Sequence, residues 1–435
     1  MPILPIFIVV LCATLITPAY ASLSLDEAIS NAISHDRWID SNRYQEHAIR
    51  SDAIASGQLP DPKVRVALAN LPTDSFDFNQ ENMTQLQLGI SQQFSRGDSL
   101  EIKQRQLSLM ADQKPLERHE RRALIKQKVG QLWVLLHQHQ AQTQLLKANQ
   151  SLFQELVAIS QAHYRSGNLQ RYELLDAELK MTQLHDRLAK LEQLKNQTRH
   201  QLLEWLTVPD ELDALPTELP EIPILLTPQQ LKNEAQVDKV LLKHPLLQQF
   251  EQRVEIQQKA VDLADEAYKP SFKVDAGYGY RDDMPNGMDR ADFFSMALTF
   301  DLPIFPEKRQ DATRNAAIGQ REAVKEQRFL KARQIKTTFG FELANLAGLE
   351  QRLSIYDRGL LRQLKEKRSA ALQAYGASTA RFNDVSAAAL SELEIKLQKI
   401  ALTHERAATL LRLNYLLAGI DPELQRQSSR PLELK

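Results

Sequence analysis

Histidine and cysteine are the residues best suited to bind a metal or carry covalent chemistry, and in this chain of 435 residues their spacing does not support either. His137 and His139 stand two apart in a helical stretch, about 200° around its axis, so they cannot share a ligand. Neither His119-Glu120 nor His404-Glu405 continues into the helical zinc-protease motif, and the 10 histidines form no cluster along the chain. Cys12 is the only cysteine and falls in a leading apolar segment. A mature chain without thiols has no disulfides, no cysteine catalysis and no thiolate metal site. A glycine-rich phosphate loop is also absent. The expectation is a protein that is not an enzyme, with no catalytic residues, no cofactor and no metal site.

The chain opens with an apolar run, Ile3 to Ile16, followed by Ala19-Tyr20-Ala21. That pattern predicts a signal peptide over residues 1–21 with cleavage before Ser22. The run is too short for a membrane-spanning helix, and Leu11 before Cys12 argues against a lipid anchor. Lys plus Arg number 54 and Asp plus Glu 55, a balance that gives no reason to expect a nucleic-acid partner. Gly is sparse while Ala, Leu, Gln, Glu, Lys and Arg dominate, as in long helices and coiled coils. No later run reaches the roughly 18 apolar residues of a membrane-spanning helix. If the chain crosses a membrane, it must do so with strands.

Four short stretches have the period of a strand. Val64, Val66 and Leu68 alternate with Lys63, Arg65 and Ala67, and Leu86, Leu88 and Ile90 with Gln85, Gln87 and Gly89. Phe272, Val274, Ala276, Tyr278 and Tyr280 oppose Lys273, Asp275, Gly277 and Gly279. Phe294, Met296, Leu298, Phe300 and Leu302 oppose Ser295, Ala297, Thr299 and Asp301. Each run is about 9–11 residues, the length of a tilted strand across a bilayer. The acidic connectors Pro72–Met83 and Asp282–Ala291 fit hairpin loops in water, and Tyr278, Tyr280, Phe293, Phe294 and Phe300 fit part of an interfacial aromatic belt. A soluble sandwich with one buried face is the competing home for such strands.

The remainder reads as helix. Leu23 to Ser56 is one expected helix, opened by the cap Ser24 and the acidic Asp26-Glu27. Leu100 to Trp205 is a long pair of arms reversing at Ser166-Gly167-Asn168, each up to about 60 residues or roughly 90 Å. The return arm carries heptads, with Leu174, Met181, Leu188 and Leu202 at one seam position and Ala177, Leu184, Leu191 and Trp205 at the other. Arg309 to Leu417 repeats the design with its turn near Tyr375-Gly376-Ala377-Ser378, and its seam holds Leu390, Leu397 and Leu411 with Leu393, Ile400 and Ala407. The two halves are copies: Pro62 and Pro270 are 208 positions apart, as are Ile90 and Leu298. The expected division is a first repeat over 22–206, a Pro-rich linker over 207–243, a second repeat over 244–418 and a tail over 419–435.

Backbone inside hydrocarbon must pair all its N–H and C=O groups, and strands achieve this only in a closed barrel of at least about eight strands. Four strands leave two open edges, so closure requires further copies of the chain.

Several segments in this order resemble the TolC-type outer-membrane efflux proteins over essentially the whole mature length. They are Leu23-Ser24-Leu25-Asp26-Glu27-Ala28, Leu59-Pro60-Asp61-Pro62, Gly89-Ile90-Ser91-Gln92-Gln93-Phe94 and Asp301-Leu302-Pro303-Ile304-Phe305. The reversals match as well: Tyr164-Arg165-Ser166-Gly167 with Glu173-Leu174-Leu175-Asp176-Ala177, and Tyr375-Gly376-Ala377-Ser378 with Asp384-Val385. The resemblance implies a mixed α and β fold in which four transmembrane strands per chain build a trimeric 12-stranded barrel, continued by long α-helical coiled-coil hairpins. It implies a homotrimer in outer-membrane lipid with a large periplasmic portion. It also implies a passive exit duct for a periplasmic adaptor and an inner-membrane pump.

Ala69-Asn70-Leu71-Pro72 and Gln92-Gln93-Phe94-Ser95-Arg96-Gly97-Asp98 resemble the heavy-metal efflux members, of the copper/silver or cobalt/zinc/cadmium type. On this resemblance Tyr164, Gly167, Leu169, Tyr375, Gly376 and Ser378 surround the adaptor contact, and Arg381, Asp384, Glu173 and Asp176 are candidates for the periplasmic aperture. A multidrug or secretion duct would share the architecture. A soluble periplasmic coiled-coil adaptor is the competing reading from another class; it would carry one helical hairpin where this chain carries two.

Overall fold

A computed structural model describes residues 22–207, 212, 215–377, 379 and 381–424. The expected signal peptide, Pro209 of the linker, Ser378 and most of the expected tail lie outside the described residues.

Helix α1 (Leu25–Ser34) starts as its sequence dictates. Ser24 accepts a hydrogen bond from Glu27 N, and the Glu27 carboxylate accepts one from Ser24 N at 2.9 Å. The single helix expected from Leu23 to Ser56 is two helices. His35 leaves the helical region, and Asp36 is extended and caps α2 (Arg37–Ser56) through Trp38 N. The apolar period runs on across the break, so only the capping potential of Asp36 marks it.

Strands β1 (Lys63–Ala69) and β2 (Gln85–Phe94) lead into α3 (Ser99–Arg165) and α4 (Arg171–Leu203). The linker carries α5 (Pro228–Leu231) and α6 (Glu234–Leu241). The second half follows the first: α7 (Pro245–Glu266), β3 (Phe272–Tyr280), β4 (Phe293–Phe300), α8 (Gln310–Ile355), α9 (Leu361–Gly376) and α10 (Phe382–Leu416). Tyr356–Leu360 is a π-turn between α8 and α9 that the sequence pattern does not announce. No helix among the described residues is long and apolar enough to cross a membrane.

The strands form one antiparallel sheet in the order β1-β2-β3-β4. Register puts like with like. Val66 pairs with Leu88, Leu88 with Tyr278 and Tyr278 with Phe294, so one face is apolar across all four strands. Arg65 pairs with Gly89, Gly89 with Gly277 and Gly277 with Ser295 on the other face.

The chain divides into two compact units, each drawn from both halves of the sequence. One comprises residues up to His35, Ile125–Pro223 and Asn345–Leu411. Within it, Leu146, Phe153, Leu184 and Leu393 form a core flanked by Met181, Leu188, Leu191, Leu390 and Leu397. The heptad seams of both return arms therefore meet in one cluster. Trp133 is fully buried and donates to the Leu23 carbonyl at 3.0 Å.

The other unit comprises Asp36–Leu124, Ile224–Ala344 and Arg412 onward, and holds the sheet. Its helices pack through small clusters such as Val261, Ala264 and Ala317. Arg118 there ties Glu46 at 2.7 Å and Asn42 at 2.8 Å, all three shielded from solvent.

Candidate functional site

The sheet presents the first candidate surface. Its apolar face is open: Val66 is 68% exposed, Leu88 56%, Met296 70% and Phe294 73%, far above what a soluble core allows. Among the described residues no second layer covers this face, as the sandwich alternative would require. Aromatic rows bound it at both ends. Phe94, Phe272 and Phe300 are register partners at the helix-proximal end, with the rings of Phe272 and Phe300 6.4 Å apart. Tyr278, Tyr280 and Phe294 lie at the loop end, where Phe78 stacks on Tyr280 at 6.4 Å. Phe272 and Tyr278 are separated by roughly 20 Å along the strand at 3.4 Å per residue. Phe293 departs from the expected belt. It pairs with Gly279 on the polar face, where the Arg281 guanidinium lies 3.8 Å from its ring centre.

The polar face is concave, with a hollow of about 550 Å³ lined by Lys63, Arg65, Gln87, Lys273 and Asp275 among others. Gly89 pairs with Gly277 across β2 and β3, while the Gln85 side chain fills the space over Gly279. Strands β1 and β4 each leave one edge unpaired within the chain.

The junction between strands and helices is clamped by side chains. Arg96 donates to the carbonyls of Ala267 at 3.1 Å and Lys269 at 2.9 Å and pairs with Asp301. Asp301 accepts from Ser271 N at 2.7 Å, and Glu266 accepts from Asp98 N at 2.8 Å. Gly97 sits in the left-handed region at φ +43°, and a Cβ there would lie 1.9 Å from Glu266 Oε2. Sequence reading noted this stretch for its resemblance and missed its role as a clamp.

The helix reversals form the second candidate surface. In the first, Asn168 N bonds the His163 carbonyl at 2.9 Å and Gly167 N the Tyr164 carbonyl at 3.1 Å, with Gly167 at φ +73°. This pair of bonds closes a helix C-terminus where glycine is favoured. In the second, Thr379 N bonds the Ala374 carbonyl at 2.9 Å. Gly376 is the last residue of α9 and so does not hold the place of Gly167.

The two reversals touch. Tyr375 Oη lies 3.0 Å from His163 Nε2, and Asn383 Nδ2 donates to Glu173 Oε1 at 3.4 Å. Tyr164 and Gly167 are exposed and Leu169 is half-buried, whereas Tyr375 is engaged by His163.

Two of the four charged candidates have capping roles. Glu173 accepts from Gln170 N at 3.1 Å, and Asp384 accepts from Arg381 N at 3.0 Å, in each case from the residue three positions earlier. Asp176 pairs with Lys180 one turn along the same helix at 2.6 Å, and the Arg381 side chain is exposed. These residues cluster at the reversals, while Tyr172, Leu175 and Leu179 form an exposed apolar stripe beside them.

No family model matches the chain, and no curated protein matches it. Solved structures do. CusC, in a study of folding and transmembrane channel formation, superposes with a TM-score of 0.70 at 15% identity, covering 91% of this chain and 92% of that one. The outer membrane protein VceC of Vibrio cholerae gives 0.73 at 14% identity, covering 91% and 96%. The CmeC outer membrane channel of Campylobacter jejuni gives 0.74 at 13% identity, covering 93% and 89%.

Proposed function

We propose that this chain, which has the fold of the TolC-type outer-membrane channels, is one protomer of an outer-membrane exit duct in a tripartite efflux system. The observation that carries this reading is the sheet: an uncovered apolar face bounded by two aromatic rows, a concave polar face, and two open edges. Such a sheet is stable in hydrocarbon only when its edges close on other copies. Two copies give eight strands, a number that side chains fill; three give 12 and leave a lumen. The homotrimer is therefore the assembly we favour, in outer-membrane lipid, with the helices on the periplasmic side.

On this reading the reversals, with Tyr164, Gly167, Leu169, Tyr375, Gly376 and Ser378, are the docking surface for a periplasmic adaptor, which joins the duct to an inner-membrane pump. The exposed stripe Tyr172, Leu175 and Leu179 supports a protein contact at that end. Arg381, Asp384, Glu173 and Asp176 lie beside it, where charge pairs would hold an aperture. The chain's own part is passive: it supplies passage, and the pump supplies the work.

For cargo, the segments Ala69–Pro72 and Gln92–Asp98 support heavy-metal cations through their resemblance to metal-efflux ducts. An organic or polypeptide cargo is the second reading, and Lys63 and Arg65 on the polar face, without an ion pair among the described residues, favour it where that cargo is anionic. Deleting the gene and measuring growth on copper, silver, zinc, cobalt and cadmium salts beside dyes, detergents and antibiotics tests both. Sensitivity confined to metals supports the cation duct. Sensitivity to organic compounds with normal metal tolerance overturns the metal assignment, and unchanged growth on every compound counts against an efflux role.

A further inference from the structure

The polar face of the sheet carries four charged side chains within its strands, and they do not cancel. Lys273 and Asp275 pair with each other at 2.8 Å. Lys63 and Arg65 form no ion pair among the described residues. Lys63 faces Ser91, whose row runs on to Asp275, the carboxylate already taken by Lys273, and the row of Arg65 continues through Gly89 and Gly277 to Ser295 with no acidic residue. Closure against another copy does not supply the missing carboxylate. The strand at the far edge, β4, offers Phe293, Ser295, Ala297 and Thr299 on this face. Asp301, just beyond it, is already engaged by Arg96 and Ser271.

We infer that Lys63 and Arg65 form a cationic girdle in the lumen of the assembled barrel, which favours anionic over cationic solutes in transit. The inference rests on the duct reading, because only closure turns the concave face into a lumen. Each copy adds two uncompensated positive charges at neighbouring levels of the barrel. Low-dielectric walls focus their field, and the small residues around them leave the charges uncovered. Charge rings of one sign are a means by which pores discriminate between ions. A girdle of this sign suits organic anions and opposes bare metal cations.

The test reads the local potential through single cysteines in the full-length chain, assembled in outer-membrane vesicles. Gln87→Cys lies on the polar face beside the Arg65 row, and Leu88→Cys lies on the apolar face. Each is reacted with a sulfonate-bearing and a trimethylammonium-bearing methanethiosulfonate, and rates are normalised to a free small thiol. A potential of about one kT separates reagents of opposite unit charge by roughly sevenfold.

The girdle predicts that the sulfonate reagent wins at Gln87→Cys by about that factor, and that high salt narrows the gap. Lys63→Gln and Arg65→Gln are each expected to reduce the preference when added singly, so the result does not depend on the double variant assembling. Equal rates, or a faster cationic reagent, overturn the girdle while leaving the duct intact. Labelling of Leu88→Cys as fast as Gln87→Cys means that the apolar face is not in lipid, which overturns the duct and the girdle together.

Discussion

His137 Nδ1 lies 2.8 Å from His404 Nε2, joining α3 to α10 across 267 positions of sequence in a site closed to solvent. His404 Nδ1 faces the Ile400 carbonyl at 2.6 Å, and His137 also meets the Pro216 backbone. Burial holds the His404 imidazole down at about 4. His244 in the other unit behaves alike: Nδ1 caps α7 by accepting from Leu246 N, Nε2 donates to the Tyr415 carbonyl, and burial again lowers it to about 4. A histidine with a depressed folded value is neutral in the fold and charged in the unfolded chain at the same acidic pH. Stability is therefore full above about 6.5 and declines as pH falls towards 4, by roughly 3 kcal/mol for each group. Thermal unfolding followed from pH 7.5 to 4 should show this fall, and His244→Gln should flatten part of it. A pH-independent melting temperature over that range would contradict the buried neutral state.

The sheet predicts an asymmetry between adjacent positions. Leu88→Arg places a cation on the face assigned to lipid and should cost about 2–4 kcal/mol in each copy. Gln87→Arg, one residue away on the opposite face, should leave assembly near wild type. The yield of membrane-embedded protein measures both, and equal yields would contradict the assignment of faces.

Gly97 and Gly167 both have positive φ but differ in surroundings. Nothing lies within 4 Å of a Cβ at Gly167, so Gly167→Ala pays only backbone strain, about 1–2 kcal/mol. At Gly97 the same change also drives a Cβ into Glu266 and Lys269. Gly97→Ala should lower the denaturation midpoint clearly more than Gly167→Ala; the reverse order would show that the clamp at the strand–helix junction is loose.

At the reversals, Asp384→Ala removes the bond to Arg381 N and should cost about 1 kcal/mol by the measure of helix capping. Neutralising Arg381 and Asp384 together should raise single-channel conductance in planar bilayers if they hold the aperture. Unchanged conductance would leave them as capping residues and place the constriction elsewhere.

The strands were legible because one face of each is apolar, and a period of two survives even where Gly and Gln replace longer polar residues. The first reversal was legible because Ser166-Gly167-Asn168 breaks the helix where a left-handed residue is needed, and the seams because Leu recurs every seven. The break at Asp36 was hidden by an apolar period that continues through it. Phe293 was misplaced because aromatic type was read without its register, which the pairing with Gly279 fixes. The meeting of His137 with His404, and of Asn383 with Glu173, depends on contacts across more than 200 positions, beyond any local pattern. For Glu173 and Asp384 a signal was present: an acidic residue three places after a helix start is the mark of a cap.

The central claim is that four strands per chain close into a barrel only with two further copies. Native mass spectrometry of the full chain released from outer-membrane detergent extracts counts those copies directly. The account predicts three per particle and an assembly that requires detergent. A monodisperse monomer that stays in solution without detergent would contradict it.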